Sequence, residues 1–414
     1  MGTFNKASGG KYPYLYAVIV VLMMAFVLAY LLWSETPIFN YYTKPTLTST
    51  IASVMLTITN SQDTPSAAGF QQMISINPSV YAMYEAANLG NIRFYIGAPN
   101  DGTELYSWCE SGCNASSSNA TFWVKIPDTI GAMASLEINM TFDKLDVNYD
   151  DNYAGEAPQL SPEYAEYDNG RNVFNFYDDF AGTSLNSTRW ASAESGCGSV
   201  VVADGLELIY AGRLFSGLNA TYPISVIPAN NIDAVAGEAS ITSKLPGFDM
   251  QKEVEDMYMY TDSFMASCAT NNCDNFGMLM PQPTAYRPAG ADQIFISAFA
   301  PSNGTVGYYG VSTYNDDYVN PVPAAIAYHA SDSAYNIFSL WASANSAYAS
   351  NNYGPASVST EDFPAGHTSD MVPWFIISDL NQTPQTFYMR WVRIRVLPPN
   401  GVMPGVAVGA LYQR

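Results

Sequence analysis

TLTSTIASVMLTITNS (residues 46–61) is the first of four segments that decide the fold; the others are NIRFYIG (91–97), ATFWVKIP (120–127) and SLEINMTF (135–142). In each segment β-branched or aromatic residues recur among polar ones, and Gly, Pro, Asn or Asp lies close by, a pattern typical of short strands. No segment after residue 35 combines a long 3.6-residue apolar period with helix caps. The sequence therefore predicts a mostly β chain, built as sandwich or jelly-roll domains.

The chain begins with a long uncharged segment, YPYLYAVIVVLMMAFVLAYLLW (12–33). A helix rises about 1.5 Å per residue, so this segment is long enough to cross a hydrocarbon core of roughly 30 Å. Lys6 and Lys11 precede it and Glu35 follows it, which places the N-terminus in the cytoplasm by the positive-inside rule. We expect a single transmembrane helix, contact with the membrane through residues 12–33, and residues 36–414 outside the cell.

Two other interpretations of this segment stay open. A cleaved signal peptide has a shorter apolar core and a small-residue cleavage site, and LAYLLWSETP (28–37) offers bulky residues instead. A pilin-type leader is cut before the helix, which then packs into a filament core. SGGKYPYLY (8–16) fits that pattern poorly because Lys11 follows the glycines. All three interpretations export the remainder of the chain.

Composition divides the chain into five regions. They are an anchor (1–35), a first β-sandwich domain (36–146), an acidic Pro/Gly linker or long loop (147–171), a second strand-rich domain (172–397) and a tail (398–414). In the second domain, TFYMRWVRIRV (386–396) places three arginines among apolar residues. The final stretch, LPPNGVMPGVAVGALYQR (397–414), is Pro/Gly-rich and then apolar. It is expected to pack on the last domain or to form an exposed strand available to a neighbour.

The chain is acidic because it has few basic residues. Its net charge is −21, with 16 Lys and Arg among 414 residues, and only 13% of residues are charged. Without a basic stripe there is nothing to neutralise phosphates, so we expect no nucleic-acid partner. In acid, protonated carboxylates would leave only these few basic groups and two His charged, so self-repulsion would stay modest. Exposure to acid is one hypothesis, and a glycosylated surface is the other.

All five cysteines lie beyond the anchor, which suits an oxidising exterior. The short spacings Cys109–Cys113 and Cys268–Cys273 predict two local disulfides, with Cys197 as a buried thiol. Seven N-x-S/T sequons agree with export and predict glycosylation. They lie at Asn114, Asn119, Asn139, Asn186, Asn219, Asn303 and Asn381.

Two segments carry a resemblance to a domain of unknown function found in archaeal and bacterial surface proteins. They are NLGNIRFYIGAPNDGTELYSWCESG (88–112) and ATFWVKIPDTIGAMASLEINMTF (120–142). The family pattern runs N-I-R-F-Y, L-x-x-W-x-E and W-V-K-x-P. The matching residues are Asn91, Arg93, Phe94, Trp108, Glu110, Trp123 and Lys125. LEINMTF departs from the tyrosine-rich strand usual after W-V-K-x-P. The resemblance implies a fold and an archaeal cell-surface location, and no reaction.

Residues from about 173 to 397 resemble the concanavalin A-like, laminin-G-like jelly rolls that often follow that domain. VFNFYDDFAGTSLNSTRW (173–190) matches the opening pattern and FYMRWVRIRVLPPNG (387–401) the closing strand, whereas the middle is matched only by its strand pattern. The resemblance implies that the second domain is a concanavalin-like jelly roll and that the chain is a pair of β-sandwiches.

Catalytic signatures are incomplete. Some concanavalin-like enzymes that cleave β-glucans carry three acids on one strand, and KEVEDMYMY (252–260) supplies Glu253 and Glu255. The third acid, the general acid/base, is replaced by Met257 or Tyr258, so retaining hydrolysis lacks a partner. The only histidines, His329 and His367, have no nucleophile motif nearby. We expect no enzymatic activity; a glycoside hydrolase is the alternative.

Calcium is the one cofactor the sequence suggests; otherwise we expect none. Asp146, Asn148 and Asp150 alternate as at the start of a calcium loop, but Ala157 stands where the bidentate Glu belongs. Asn315, Asp316 and Asp317 form a second oxygen-rich loop, and the alternative for both is a solvated turn.

The sequence thus predicts a non-enzymatic, membrane-anchored, glycosylated surface protein for adhesion or assembly of an outer layer or filament. Its partners would be further copies of itself or surface glycans. Tyr and Trp planes can stack on sugars, so a glycan-binding lectin-like module is one alternative. A spike or fibre on the envelope of a virus that infects an archaeon is another.

Overall fold

The computed structural model describes residues 50–99, 102–150, 152–195, 198–210, 237–244, 247–261, 275–279, 293–299, 308–314, 324–329, 334–360, 363–364, 368–379 and 385–413. Thr50–Arg414 is one compact unit. The described residues are dominated by strands, which confirms the mostly β prediction. They include no helix that is both long and apolar enough to span a bilayer. The predicted anchor, 12–33, lies outside the described residues.

Two β-sandwiches make up this unit. The first contains β1 (Ala52–Thr59), β2 (Phe70–Ile76), β3 (Ile92–Ile96), β4 (Thr103–Leu105), β5 (Ser107–Ser111), β6 (Ala120–Ile126), β7 (Ser135–Phe142) and β8 (Ala154–Glu156). The segments quoted at the outset correspond to β1, β3, β6 and β7. A 3-10 turn, Pro78–Val80, follows β2. The two sheets of this sandwich have the strand orders β24-β1-β7-β3-β4 and β2-β6-β5-β8, where β24 is the last strand of the chain, Gly405–Gln413.

The second sandwich is jelly-roll-like. It contains β9 (Phe176–Asp178), β10 (Trp190–Ser195), β11 (Gly198–Val202), β12 (Leu206–Tyr210), β13 (Gly237–Ser243), β14 (Glu253–Thr261), β15 (Asn275–Leu279), β16 (Gln293–Phe299), β17 (Tyr308–Tyr314), β18 (Ala324–His329), β19 (Asn336–Ala342), β20 (Ala347–Asn351), β21 (Ser357–Ser359), β22 (Val372–Asp379) and β23 (Gln385–Val396). One sheet has the order β10-β13-β22-β15-β16-β17-β18. The other has the order β11-β12-β23-β14-β19-β20-β21, with β9 paired to β23. A second 3-10 turn, Pro399–Gly401, follows β23.

Each sandwich buries its own apolar core. β1 shows the alternation that sequence reasoning relies on, since Val54, Leu56 and Ile58 are fully buried while Met55 is exposed. In the second sandwich Met257 and Met259 of β14 pack inward, in the same cluster as Leu340 and Ile394. A third cluster of buried residues, most of them aromatic, joins the two sandwiches.

The acidic segment 147–171 is built into this body. β8 within it pairs in parallel with β5, and a single helical turn, α1 (Gly170–Val173), ends it. Buried Asn169 donates through Nδ2 to the carbonyl oxygens of Ser107 and Asn152, each at 3.0 Å. These contacts give an acidic, Pro/Gly-bearing sequence a fixed place beside the first sandwich.

The tail also has a defined partner. Residues 397–404 lead from β23 to β24, which pairs antiparallel with β1 from Thr59↔Gly405 to Ala52↔Gln413. The chain thus leaves the second sandwich to complete a sheet of the first one. Val406 and Leu411 of β24 pack against the first core.

Candidate functional site

The motifs at the end of the second sandwich and in the first sandwich meet at one buried junction. Alternation along β23 turns Val392 and Ile394 into the core of the second sandwich, so Trp391, Arg393 and Arg395 lie on its opposite face. Trp108 and Glu110 of β5 and Trp123 of β6 meet them there. We call this set the junction: Glu110, Asp256, Tyr353, Arg393 and Arg395 with the aromatic rings around them.

Arg393 is the centre of the junction. Its guanidinium lies 2.8 Å from Glu110 Oε2 through Nη2 and 2.8 Å from Asp256 Oδ2 through Nε. Arg395 Nε lies 2.8 Å from the same Asp256 oxygen. The side chains of Arg393 and Asp256 are 0% exposed. Two buried cations and two buried carboxylates therefore balance.

Hydroxyl and indole groups complete the network. Tyr353 donates its phenolic hydrogen to Glu110 Oε2 at 2.6 Å and accepts from Arg393 Nη2 at 2.6 Å. Trp123 Nε1 donates to Glu110 Oε2 at 2.8 Å. Ser339 Oγ donates to Asp256 Oδ1 at 2.7 Å. Burial removes the water that would otherwise bond to the carboxylate oxygens, and these hydrogen bonds replace it.

Four aromatic rings surround the guanidinium carbon of Arg393. The ring centroids lie at 4.4 Å (Trp123), 4.5 Å (Phe174), 4.7 Å (Trp391) and 5.3 Å (Trp108). A cation within about 6 Å of a ring is attracted by the ring quadrupole. Trp108 and Trp123 belong to the first sandwich, Trp391 belongs to the second, and Phe174 lies between α1 and β9. The rings around Arg393 therefore hold these parts of the chain together.

The surroundings of Asp256 and Arg393 keep these two side chains charged. Burial opposes ionisation of Asp256, but Arg395 and Arg393 outweigh it and lower its pKa below the ordinary value. Burial likewise opposes the charge of Arg393, and the neighbouring Tyr353, Glu110 and Asp256 raise its pKa. The pKa of the Tyr353 hydroxyl is raised first by burial, so it stays protonated and able to donate.

A second cluster anchors the segment 147–171 to the same place. Asp168 accepts hydrogen bonds from Trp108 Nε1 at 2.8 Å and from the Tyr177 hydroxyl at 2.6 Å. Burial, helped by Asp179, raises the pKa of Asp168 to about 8. Gly170 is required beside it, because an added Cβ would lie 2.6 Å from the Tyr177 ring.

The remaining motif residues of the first sandwich have structural partners. Asn91 Nδ2 donates to the carbonyls of Tyr84 and Asp143. Arg93 Nη2 donates to the Asn148 carbonyl at 2.7 Å. Phe94 lies in the core of this sandwich. Lys125 Nζ donates to the Asn172 carbonyl at 3.1 Å, and burial lowers the pKa of its amine.

The acids proposed for glucan hydrolysis do not form an open pair. Glu255 is 0% exposed and shares its face of β14 with the core residues Met257 and Met259. Burial raises the pKa of Glu255, and its carboxylate has no hydrogen-bond partner among the described residues. Glu253 Oε1 accepts from Asn175 Nδ2 at 2.9 Å, and its Oε2 from the Asp249 amide at 3.0 Å.

Two of the three calcium candidates that the structure describes accept hydrogen bonds from protein groups. Asn148 Oδ1 accepts from Asn88 Nδ2 at 2.8 Å. Asp150 Oδ1 accepts the amides of Asn152 and Ala154 at 3.1 and 2.8 Å, and Asp146 is exposed. Over the described ranges, no three His, Cys, Asp or Glu side chains come together as a metal site would need. Asn315, Asp316 and Asp317 lie outside the described residues.

One predicted disulfide, Cys109–Cys113, is formed. Cys197, Cys268 and Cys273 lie outside the described residues. Of the sequons, Asn114, Asn119 and Asn186 are exposed and Asn139 is half-buried on β7. Asn219, Asn303 and Asn381 are not described. His329 ends β18, and His367 is outside the described ranges.

Sequence reasoning missed Asp256, Tyr353 and Asp168. One signal for Asp256 existed, because arginines alternating with apolar residues in RWVRIRV (390–396) point to one face and need buried counter-charges. Nothing local shows which acids supply them.

Comparison with known proteins gives one relative by sequence and a set of likenesses by fold. No protein-family model matches the chain. Over 127 residues the chain is 39% identical to the uncharacterized protein 562 of Sulfolobus islandicus rod-shaped virus 1. The match covers 31% of this chain and 22% of the viral protein, so most of the relative's length has no counterpart in it.

The solved structures that resemble it in fold include β-glucanases. A lichenase from a mouse hindgut metagenome gives a TM-score of 0.35 at 14% identity, over 53% of this chain and 98% of that one. The β-glucanase of Bacillus licheniformis gives 0.34 at 14% identity, over 53% and 97%. Likenesses of this strength carry no argument about the activity of this chain.

Proposed function

We propose that this chain is a non-enzymatic structural protein of an outer surface, where it serves assembly or adhesion, and that the surface is that of a virus particle. Residues 12–33 would anchor it in the envelope membrane, with the two sandwiches and their sequon glycans outside. The observation that carries the proposal is the junction, in which a buried, balanced set of charges fixes one sandwich on the other.

The physical argument concerns orientation. Burying ions is costly, and an apolar replacement is often as stable, so such a network gives little net stability. It does penalise every other relative placement of the two sandwiches, since each would leave a charge unpaired. A fixed two-module body suits a building block of a layer or spike. The viral relative supports a virus particle over a cell surface.

Immunogold microscopy tests the proposal. Antibodies raised against the folded part of the chain would be applied to intact particles and, separately, to particles opened with detergent. We expect gold on the outside of intact particles. Labelling that appears only after opening would overturn the proposed location.

A second candidate function, glycan binding, is favoured by one row of tyrosines on the face of the second sandwich that also carries the junction. Tyr388 stacks on Tyr260 with ring centroids 4.6 Å apart, and Tyr335 meets Tyr260 at 4.7 Å. Arg390 lies 5.3 Å from the Tyr335 ring. These rings are half-buried, so their exposed parts offer apolar planes of the kind that sugars stack on.

A glycan array tests this second candidate with matched variants. We expect binding that Tyr388→Ala removes and that Tyr412→Ala, on β24 of the other sandwich, retains. An array without hits for the unaltered chain would remove the glycan-binding function and leave the structural proposal standing.

A further inference from the structure

The last strand of the chain forms one long edge of its sheet among the described residues. β24 is the outermost strand of its five-stranded sheet and pairs on its inner side with β1. No strand in the described part of the chain pairs with its outer side. An outer strand presents unpaired backbone N–H and C=O groups, which form a template for another strand.

β24 has one of the usual protections of an edge, a register shift against β1 between Val54 and Leu56. The other protections are charges, Pro or a very short strand. Residues 405–413, GVAVGALYQ, contain no charged residue and no Pro. The opposite edge of the same sheet, β4, is only three residues long and includes Glu104, which lies 3.6 Å from Arg93. One edge of this sheet is therefore short and carries a charge, whereas the other is long and uncharged.

Apolar side chains are exposed beside the open edge. Val408 is paired with the fully buried Leu56, so it points to the inward side of the sheet, yet it is 45% exposed. Tyr412 is 61% exposed. Met55, 36% exposed, lies against Gly409, where an added Cβ would be 3.7 Å from the Met55 Cβ. A further strand along β24 would cover Val408.

We infer that the outer edge of β24 pairs with the same edge of a second copy of this chain. The inference rests on the proposed structural function and names its partner. The occupant follows from the proposed function, because neighbouring subunits of a layer or spike are copies of one chain. Two chains of charge −21 repel, but residues 405–413 carry no charge, so two copies can meet at this edge without opposing carboxylates. Antiparallel pairing of two identical strands is self-complementary, as a two-fold interface must be, and it extends one sheet across both copies.

Sedimentation velocity of the full chain in detergent, over a range of concentrations, tests the pairing. We expect a concentration-dependent dimer whose dissociation constant rises at least tenfold in Val408→Lys, since the lysine would be buried beside the partner strand. The matched control is Val80→Lys, the same substitution at a 66% exposed valine on the 3-10 turn Pro78–Val80. It adds the same charge, and its dissociation constant should be unchanged.

Hydrogen exchange locates the contact. We expect the amides of Gly405–Gln413 to exchange more slowly as the dimer forms, and both variants to keep the circular dichroism of the unaltered chain. A monomer at all concentrations, a dimer that Val408→Lys leaves intact, or equal weakening by Val80→Lys would overturn the pairing. None of these results changes immunogold labelling, so failure of the pairing is distinguishable from failure of the proposed function. Deleting the tail is a poorer test, because β24 also completes the ladder of β1.

Discussion

Arg393 has a fully buried guanidinium that contacts two carboxylates from different sandwiches. Removing one partner of a buried ion pair costs far more than the pair itself contributes, since the remaining charge stays buried and unpaired. We therefore expect loss of Arg393 to weaken the contact between the two sandwiches while the apolar core of each sandwich stays intact.

The first prediction concerns Arg393→Met. In this variant Glu110 loses its contact with the Arg393 cation, and Asp256 keeps only Arg395 as a cationic partner. We therefore expect the free energy of unfolding to fall by about 3–5 kcal/mol. Urea denaturation at pH 7 measures it. Arg171→Met is the matched control, because Arg171 is 58% exposed in its pair with Asp179 and exposed pairs contribute about 0–1 kcal/mol. Equal losses in the two variants would contradict a structural role for the junction.

Glu255 gives a prediction of opposite sign. Its carboxyl is 0% exposed and lacks a hydrogen-bond partner among the described residues, and an unpaired buried polar group costs about 1–3 kcal/mol. Glu255→Met should therefore raise the free energy of unfolding at pH 7 by about that amount. Glu253→Met, on the same strand, should lower it by about 0.5–1.5 kcal/mol for each of its two hydrogen bonds lost. A destabilised Glu255→Met variant would refute this account of the carboxyl.

The strands differ in how far the sequence predicts them. β1, β3, β6 and β7 follow from local alternation, because alternate side chains fall on opposite faces of a sheet. Their partners do not follow from it. Asp256 lies 137 positions from Arg393 in the chain, and Tyr353 lies 243 positions from Glu110. The arginines of β23 indicated a buried face, whereas the acids that neutralise them are set by topology alone.

The pairing of β24 with β1 shows the same limit. The tail has strand-forming residues, and its composition allows an exposed strand, but nothing in it identifies the first sandwich as its partner. The acidic segment 147–171 is a further case. Its composition is that of a linker, while Asn169 and Asp168 are bonded into the body by contacts with Ser107 and Trp108.

The bond between Cys109 of β5 and Cys113 in the following turn supplies a prediction about one strand end. The two residues are four positions apart, and the chain-entropy relation gives about 2 kcal/mol for so short a loop. We expect a reducing agent to lower the melting temperature of the unaltered chain and to have a smaller effect on Cys113→Ser. Differential scanning calorimetry with and without reductant measures both. Equal shifts would assign the effect to other cysteines.

Among the described residues, two kinds of buried acid contribute to the pH dependence of stability: those with a lowered pKa and those with a raised pKa. Asp256, paired with Arg395 and Arg393, has a lowered pKa. It contributes stability above its unfolded pKa of about 3.9, and that stability is lost as pH falls through its folded value. Glu85, Asp168 and Glu156 have raised pKa values, with burial as the first cause. The stability that these three carboxyl groups contribute is present below about pH 4 and is lost as pH rises through their raised folded pKa values.

The final prediction concerns Glu85, one of the buried acids whose pKa is raised. Burial raises the pKa of Glu85 to about 8, and neither carboxyl oxygen has a hydrogen-bond partner among the described residues. The free energy of unfolding should therefore fall between pH 4 and pH 8, and Glu85→Gln, neutral throughout, should fall less. Glu137→Gln, at an exposed position on β7, should follow the unaltered chain. Urea titrations at pH 4, 6 and 8 measure all three. Parallel pH curves for Glu85→Gln and the unaltered chain would show that Glu85 has the same pKa in the folded and the unfolded chain, which would contradict this account of its burial.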